Sequence, residues 1–307
     1  MSLLTVGTVA FDNIETPLGT AHKVVGGAAT FISLAASYLT ETVNLVSIVG
    51  DDFPESTLKD LVNRGVNIDG LQIIKGQKSF FWSGKYKNNM NERDTLDTQL
   101  NVLADFDPIL PDHYKNAKYI MLGNLQPEVQ LRVLEQLNSQ PDFIALDTMN
   151  FWIEGALGSL KNVLQKIDAL IINDEEARQL SGEYSLLKAA HSLLKMGPKY
   201  VIIKKGEHGA LLFDEENIFF APALPLAEVF DPTGAGDTFA GGVMGYLANT
   251  KNTNFENLKR AIIYGSAMAS FCVEKFGTER LTELSIQEIN KRILRFISLT
   301  KFDVNLS

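Results

Sequence analysis

Asp231-Pro232-Thr233-Gly234-Ala235-Gly236-Asp237 runs directly into an apolar segment from Thr238 to Tyr246. Gly234, Ala235 and Gly236 keep the backbone free of bulk, so successive N–H groups can turn onto one anion where a helix begins. A helix N-terminus there adds about half a positive charge on unsatisfied donors, which favours a phosphoryl group. Asp237 then stands where a carboxylate stays ionised and can take a proton from an attacking hydroxyl. The same letters also describe a helix N-cap behind a tight turn, and the segment by itself leaves both readings standing.

Outward from this loop, the fold class comes from alternation. The short apolar runs Tyr119 to Leu122, Phe143 to Leu146, Ala169 to Ile172 and Tyr200 to Ile203 are separated by segments of helical spacing such as Pro127 to Leu137 and Leu157 to Ile167. Repeated strand-helix units need right-handed crossovers and give a mostly parallel sheet covered on both faces. The expected class is α/β. Ligands collect at the carboxyl ends of such strands, which brings forward Asn124, Asp147 and Asn150.

Nearer the N-terminus, Leu3 to Phe11 reads as one buried strand, with Asp12 just past its end and placed to hold substrate hydroxyls. Gly26 and Gly27 precede an apolar helical stretch from Phe31 to Leu39; they either let a ligand approach the backbone or build a helix-entry turn. Val43 to Val49 reads as a strand, and Gly50 to Pro54 opens a helix towards Arg64. From Lys78 to Tyr86 the aromatics Phe80, Phe81, Trp82 and Tyr86 favour sheet, with a turn at Asn88-Asn89. Those aromatics fit a sugar face, a base or a subunit interface alike, and Arg93 fits a substrate clamp or a solvated charge. Asn173 with Glu176 three residues on has capping-box spacing. Lys204-Lys205-Gly206-Glu207-His208-Gly209 closes a strand and opens a turn before Ala210 to Phe213; His208 without a placed partner carries no mechanism. Asn217 to Ala223 reads as a further strand. Leu258 to Phe276 is a helix whose small residues Gly265, Ser266, Ala267 and Ala269 serve close packing or flank a base. Ser285 to Leu299 is a terminal amphipathic helix before a polar tail, Lys301 to Ser307.

With 307 residues and 45% apolar content the chain can bury a sizeable core, and it shows no repeat or linker, so one domain over 1–307 is expected. No run of about 18 apolar residues and no basic-then-apolar leader is present, so the expectation is cytoplasmic, with no membrane partner. The lone Cys272 excludes an intramolecular disulfide framework, four scattered His offer no zinc spacing, and a formal charge of −9 argues against a nucleic-acid partner. A Walker-type Gly-x-x-x-x-Gly-Lys-Ser/Thr is absent. The first strand leads into Thr8-Val9-Ala10-Phe11-Asp12 instead of a dinucleotide fingerprint.

The loop from Asp231 to Asp237 resembles the second signature of the PfkB carbohydrate kinases, the ribokinase-like family, which usually reads Asp-Thr-x-Gly-Ala-Gly-Asp; Pro232 stands where Thr is commoner. The resemblance covers nearly the whole chain. It implies a ribokinase-like three-layer α/β fold with a central mostly parallel sheet and a small β lid formed by about 10–25 and 72–101. It also implies transfer of the ATP γ-phosphate to a hydroxyl of a small sugar, with Asp237 as general base and the amides of Gly234, Ala235, Gly236 and Asp237 as anion hole. Asp12, Gly26, Gly27 and Asp231 would hold the substrate. Asn173 would position phosphate, and Glu176 would reach Mg²⁺ through water. In the turn Lys205, Gly206 and Gly209, Lys205 departs from the commoner Thr but supplies a cation to the nucleotide phosphates. Potassium near the loop after Asp231, a homodimer through the lid edge, a nucleoside as acceptor and a non-catalytic sensor are further readings that the resemblance admits.

Overall fold

The computed structural model of the protein describes residues 2–301 and 303, so most of the expected tail from Lys301 to Ser307 lies outside the described residues. Its strands are β1 (Ser2–Val6), β2 (Ala10–Thr16), β3 (Gly19–Gly26), β4 (Thr42–Gly50), β5 (Val66–Ile74), β6 (Phe80–Tyr86), β7 (Arg93–Gln99), β8 (Tyr119–Leu122), β9 (Phe143–Leu146), β10 (Ala169–Asn173), β11 (Tyr200–Lys204), β12 (Ala210–Phe213) and β13 (Ile218–Ala221). Among the described residues a nine-stranded sheet runs in the order β13-β12-β11-β10-β9-β8-β1-β4-β5. From β11 through to β5 every neighbour is parallel, whereas β12 and β13 return antiparallel.

Strand alternation divides the core into two layers, one on each face. Leu3, Leu45, Ile171 and Ile202 face Phe31, Met244 and Phe271 of the helices Ala28–Ser37, Ala235–Thr250 and Phe255–Cys272. Leu4, Val46, Leu170 and Val201 face Val129, Val163 and Leu193 of the helices Pro127–Glu135, Leu157–Leu164 and Leu186–Leu194. Both faces are dry, which is why these strands read as continuous apolar runs. No described helix is long and apolar enough to cross a membrane.

The helices Ala28–Ser37 and Ala235–Thr250 touch backbone to backbone. A Cβ at Gly241 would overlap the Ile32 carbonyl oxygen and stand 2.8 Å from Ile32 Cα, and one at Gly245 would stand 2.8 Å from Ala36 Cα. Gly241→Ala is therefore expected to destabilise the protein by about 1–3 kcal/mol despite alanine's better helix propensity, because overpacking outweighs it. Urea unfolding of the variant beside the wild type reads this directly.

A four-stranded sheet, β3-β2-β6-β7, stands apart from the large one. It corrects the expected single strand from Leu3 to Phe11: β1 stops at Val6, and the chain crosses at Gly7 to enter β2 of the small sheet. Both halves are buried, so hydrophobicity alone does not mark the crossing. Asp12 thus sits inside a strand instead of beyond one. The second boundary also moves: Gln72, Ile73 and Ile74 pair with Ile48, Val49 and Gly50 in the large sheet, and the small sheet resumes at Phe80. Asp52 accepts the Ser79 N–H (2.8 Å) and hydroxyl (2.7 Å) at this junction, and Asp51 accepts the Gly76 N–H (2.9 Å), so both acids brace the chain between the sheets.

Candidate active site

Three adjacent strand ends and one helix start converge. Asp147 follows β9, Asn173 ends β10, and Lys204 ends β11 directly beside Asn173 in the parallel register. Opposite them the helix Ala235–Thr250 begins behind Gly234, whose φ of +73° is left-handed and whose missing side chain makes room for the Phe31 ring. The Thr238 N–H donates to Gly234 O (2.8 Å) and the Ala235 N–H turns to Pro232 O (3.2 Å). Between them, the Gly236 and Asp237 N–H groups have no backbone acceptor among the described residues. The first turn therefore leaves two N–H groups without a backbone partner, that of Asp237 within reach of its own carboxyl.

Lys204 Nζ donates to Asp147 Oδ1 at 2.9 Å, with the two side chains 17% and 9% exposed. A Cβ on Gly236 would stand 2.9 Å from the same Nζ, so the ammonium lies against the first helical turn. Burial pulls the Lys204 pKa down, but Asp147, Glu176 and Asp237 together outweigh it and hold the side chain charged. Asp237 is half-buried at the start of the helix. Burial pushes it up to about 7, with Asp147 adding to the rise while Lys204 and Arg93 oppose it. The carboxyl expected to be plainly ionised is therefore poised between its two forms at neutrality, where proton acceptance and donation are both available.

Asp12 approaches from the small sheet. Its carboxylate lies where a Cβ on Gly26 would be, and Gly27 (φ +91°) donates its N–H to it. The two glycines thus make room for Asp12. Burial raises Asp12 to about 7, and the Asp231 and Asp237 carboxylates add to the rise. A folded pKa above the unfolded value of 3.8 means that the native state holds a proton which the unfolded chain releases, so this group's contribution to stability falls as pH rises from about 4 to about 7. Asp12→Asn removes that fall. The variant is expected to gain about 2 kcal/mol on the wild type between pH 5 and pH 8, read from paired denaturant titrations.

Asp231 is placed differently from the rest. It is 1% exposed, with Oδ1 accepting the Thr233 N–H (2.8 Å) and Oδ2 the Gly277 N–H (2.8 Å). Both oxygens thus brace the loop. Asn173 and Glu176 form a complete capping box: Asn173 Oδ1 accepts the Glu176 N–H and Glu176 Oε2 accepts the Asn173 N–H, each at 2.8 Å. Glu176 is buried, and desolvation raises its pKa, with Asp147 adding to it and Lys204 opposing. Lys205 holds its turn through the backbone, donating its N–H to Gly209 O (2.8 Å), while Gly206 (φ +53°) and Gly209 (φ +90°) take conformations that suit glycine. Asn124 accepts the Trp152 indole N–H (2.9 Å), and Asn150 opens the helix Asn150–Gly155 on the surface.

The small sheet presents one face to this cluster. Pairing and alternation put Asp12, Phe80, Trp82, Tyr86 and Arg93 on the same side, and Phe81 with Phe11 on the other. The Thr233 hydroxyl donates to Tyr86 Oη at 3.1 Å, and the Arg93 charge is felt by both Asp237 and Glu176. The guanidinium lies 5.8 Å from the Trp82 ring centre. Phe11 and Phe81 instead line a cavity of about 180 Å³ with Lys23, Asp52, Lys78, Ser79, Gln99 and Asn101.

Lys204 is the residue that the sequence reading passed over in favour of Lys205. Its signal was available: along β11, Val201 and Ile203 face one layer and Ile202 the other, so the phase of Ile202 carries Lys204 to the side of the helix Ala235–Thr250.

Residues 3–284 match the pfkB family carbohydrate kinase. Over 288 residues the chain is 29% identical to the cytidine kinase of Thermococcus kodakarensis, covering 92% of this chain and 99% of that protein. It is 26% identical over 316 residues to the nucleoside kinase of Methanothermobacter thermautotrophicus, covering 96% and 95%. In fold it is similar to a protein assigned as Ribokinase II from E. coli, solved in complex with ATP and Mg²⁺, with a TM-score of 0.80 at 19% identity over 96% of this chain and 99% of that one. The chain belongs to the pfkB family of carbohydrate kinases, phosphotransferases whose acceptor is an alcohol group.

Proposed function

We propose that the protein transfers the γ-phosphoryl group of ATP to a hydroxyl of a small sugar, with Asp237 as general base and the turn from Gly234 to Asp237 as anion hole. The observation that carries this reading is one helical turn holding both a half-buried carboxyl poised near neutrality and two amides without a backbone acceptor. The acceptor hydroxyl gives its proton to Asp237 while its oxygen bonds to phosphorus and the bridge to ADP breaks. The amides of Gly236 and Asp237 meet the charge that spreads over the equatorial oxygens. Asp12 grips the acceptor's other hydroxyls, with Gly26 and Gly27 seating its carboxylate. The small sheet acts as a lid that excludes water.

Asn173 and the turn from Lys205 through Gly206 to Gly209 face the nucleotide in this reading. Asp147, just past β9, and Glu176, in the first turn of the helix that follows β10, are buried carboxylates that would supply the hard oxygen donors that suit Mg²⁺ alongside phosphate oxygens and water. Bound there, Mg²⁺ neutralises charge on the transferring group. Turnover assayed in potassium and again in tetramethylammonium reads a monovalent-cation requirement. Use of ATP places the protein in the cytoplasm in this reading, and β7, exposed along its length, is the edge through which two lids would pair.

A nucleoside acceptor is the second reading. Trp82 shares the face of Asp12, where a base can stack, and the similar proteins include a cytidine kinase and a nucleoside kinase. The test is ADP release with Mg²⁺-ATP across free sugars, sugar phosphates and nucleosides, with Asp237→Asn run in parallel. Turnover on one class, lost in the variant, supports the reading and names the class. Thermal stabilisation by ligands without ADP release would replace it with a sensor.

A further inference from the structure

We propose that Lys204 is a catalytic residue of the transfer, its ammonium held at rest by Asp147 and turned onto the transferring phosphoryl group beside the Gly236 amide; this rests on the kinase reading above. Three observations support it. The ammonium is already in place, 2.9 Å from Asp147 Oδ1 and 2.9 Å from the position a Gly236 Cβ would take, beside the two amides that lack a backbone acceptor. Its surroundings also demand a cation. Asp147, Glu176 and Asp237 all act on Lys204 electrostatically, so a polyphosphate entering this space meets up to three carboxylates. Arg93, the other cation whose charge reaches Asp237 and Glu176, is exposed on the small sheet, whereas Lys204 is fixed in the large one.

The chemistry is consistent with this geometry. Lysine is a compact point charge on a flexible stem, and a short swing exchanges one oxygen anion, Asp147, for another on phosphorus. During transfer the acceptor oxygen forms its bond to phosphorus as the bond to the β,γ-bridging oxygen breaks. The acceptor proton goes to Asp237, ADP leaves with the bridging oxygen, and Lys204 keeps its proton throughout. The same charge lowers the pKa of Asp237, so Lys204 also sets the pH at which the base becomes available.

The test uses the full-length protein with Lys204→Met, close in length and uncharged, and Lys204→Gln, which retains a donor for Asp147. Three quantities are measured: kcat on an active acceptor, the pH profile of kcat/KM, and calorimetric binding of Mg²⁺-ADP and of a non-hydrolysable Mg²⁺-ATP analogue. Both variants are expected to lose about 10²–10³-fold in kcat, the range seen when one transition-state donor is removed. The acid limb of kcat/KM is expected to move to higher pH. The ATP analogue should lose about tenfold or more in affinity while ADP stays within about threefold, because the contact is with the terminal phosphoryl.

A kcat kept within about threefold, or equal loss of both nucleotides, would make the pair with Asp147 purely structural and overturn the inference. Failure of both variants to fold would do the same. If the wild type turns over no acceptor, the proposed function falls, while the comparison of the two nucleotides still decides where the ammonium sits.

Discussion

Asp237→Asn is expected to lower kcat by about 10²–10⁴-fold while leaving the melting temperature close to that of the wild type. Asparagine keeps the size of aspartate, and the helix Ala235–Thr250 is capped at Gly234 without a side-chain cap, so its first turn keeps its shape. What it loses, in the proposed mechanism, is the acceptor of the hydroxyl proton. In the wild type the acid limb of kcat/KM should inflect near pH 7, because burial and the Asp147 carboxylate hold Asp237 at about 7. Below that pH the base is protonated and silent, and activity rises as pH climbs through it. The variant's residual activity should lack this inflection. A kcat that survives the substitution would remove Asp237 from the role of base.

Asp231→Ala is expected to cost stability before anything else, by about 2–5 kcal/mol, since each of two partly or fully buried N–H groups is stripped of its acceptor. The carboxylate ties Thr233 at one end of the signature loop to Gly277 beyond the helix Phe255–Cys272. Losing it frees both segments at once. A residue whose first duty is to grip substrate would show the opposite pattern, a raised KM at unchanged stability. Denaturant unfolding and Michaelis kinetics on the same preparation separate the two, and a KM effect with an unshifted unfolding midpoint would overturn the bracing role.

The large sheet was legible because burial on both faces writes strands as uninterrupted apolar runs: Tyr119–Leu122, Phe143–Leu146 and Ala210–Phe213 begin and end where the letters say. The same property hid the break between β1 and β2, since a chain that leaves one core for another need not become polar on the way. β7 carries no apolar pattern, being exposed from Arg93 to Gln99, and entered the reading only through the resemblance. At the site, Asp237 and the glycine turn were legible as a motif. The true neighbours of Lys204 were not, because contact between strand ends depends on register, and register is a property of pairs of strands that one linear pattern does not contain.

The backbone contact between the helices Ala28–Ser37 and Ala235–Thr250 also acts as a ruler. One helix begins at the glycine pair that seats Asp12, and the other begins at the turn carrying Asp237. Where Gly241 and Gly245 lie on Ile32 and Ala36, main chain rests on main chain, with no rotamer between them to yield. The spacing between the glycine pair and the Asp237 turn is thus set by a contact of main chain on main chain. Asp12 itself rides on the small sheet, so in the proposed mechanism acceptors of different size would be met by movement of that sheet against two helix starts that stay fixed.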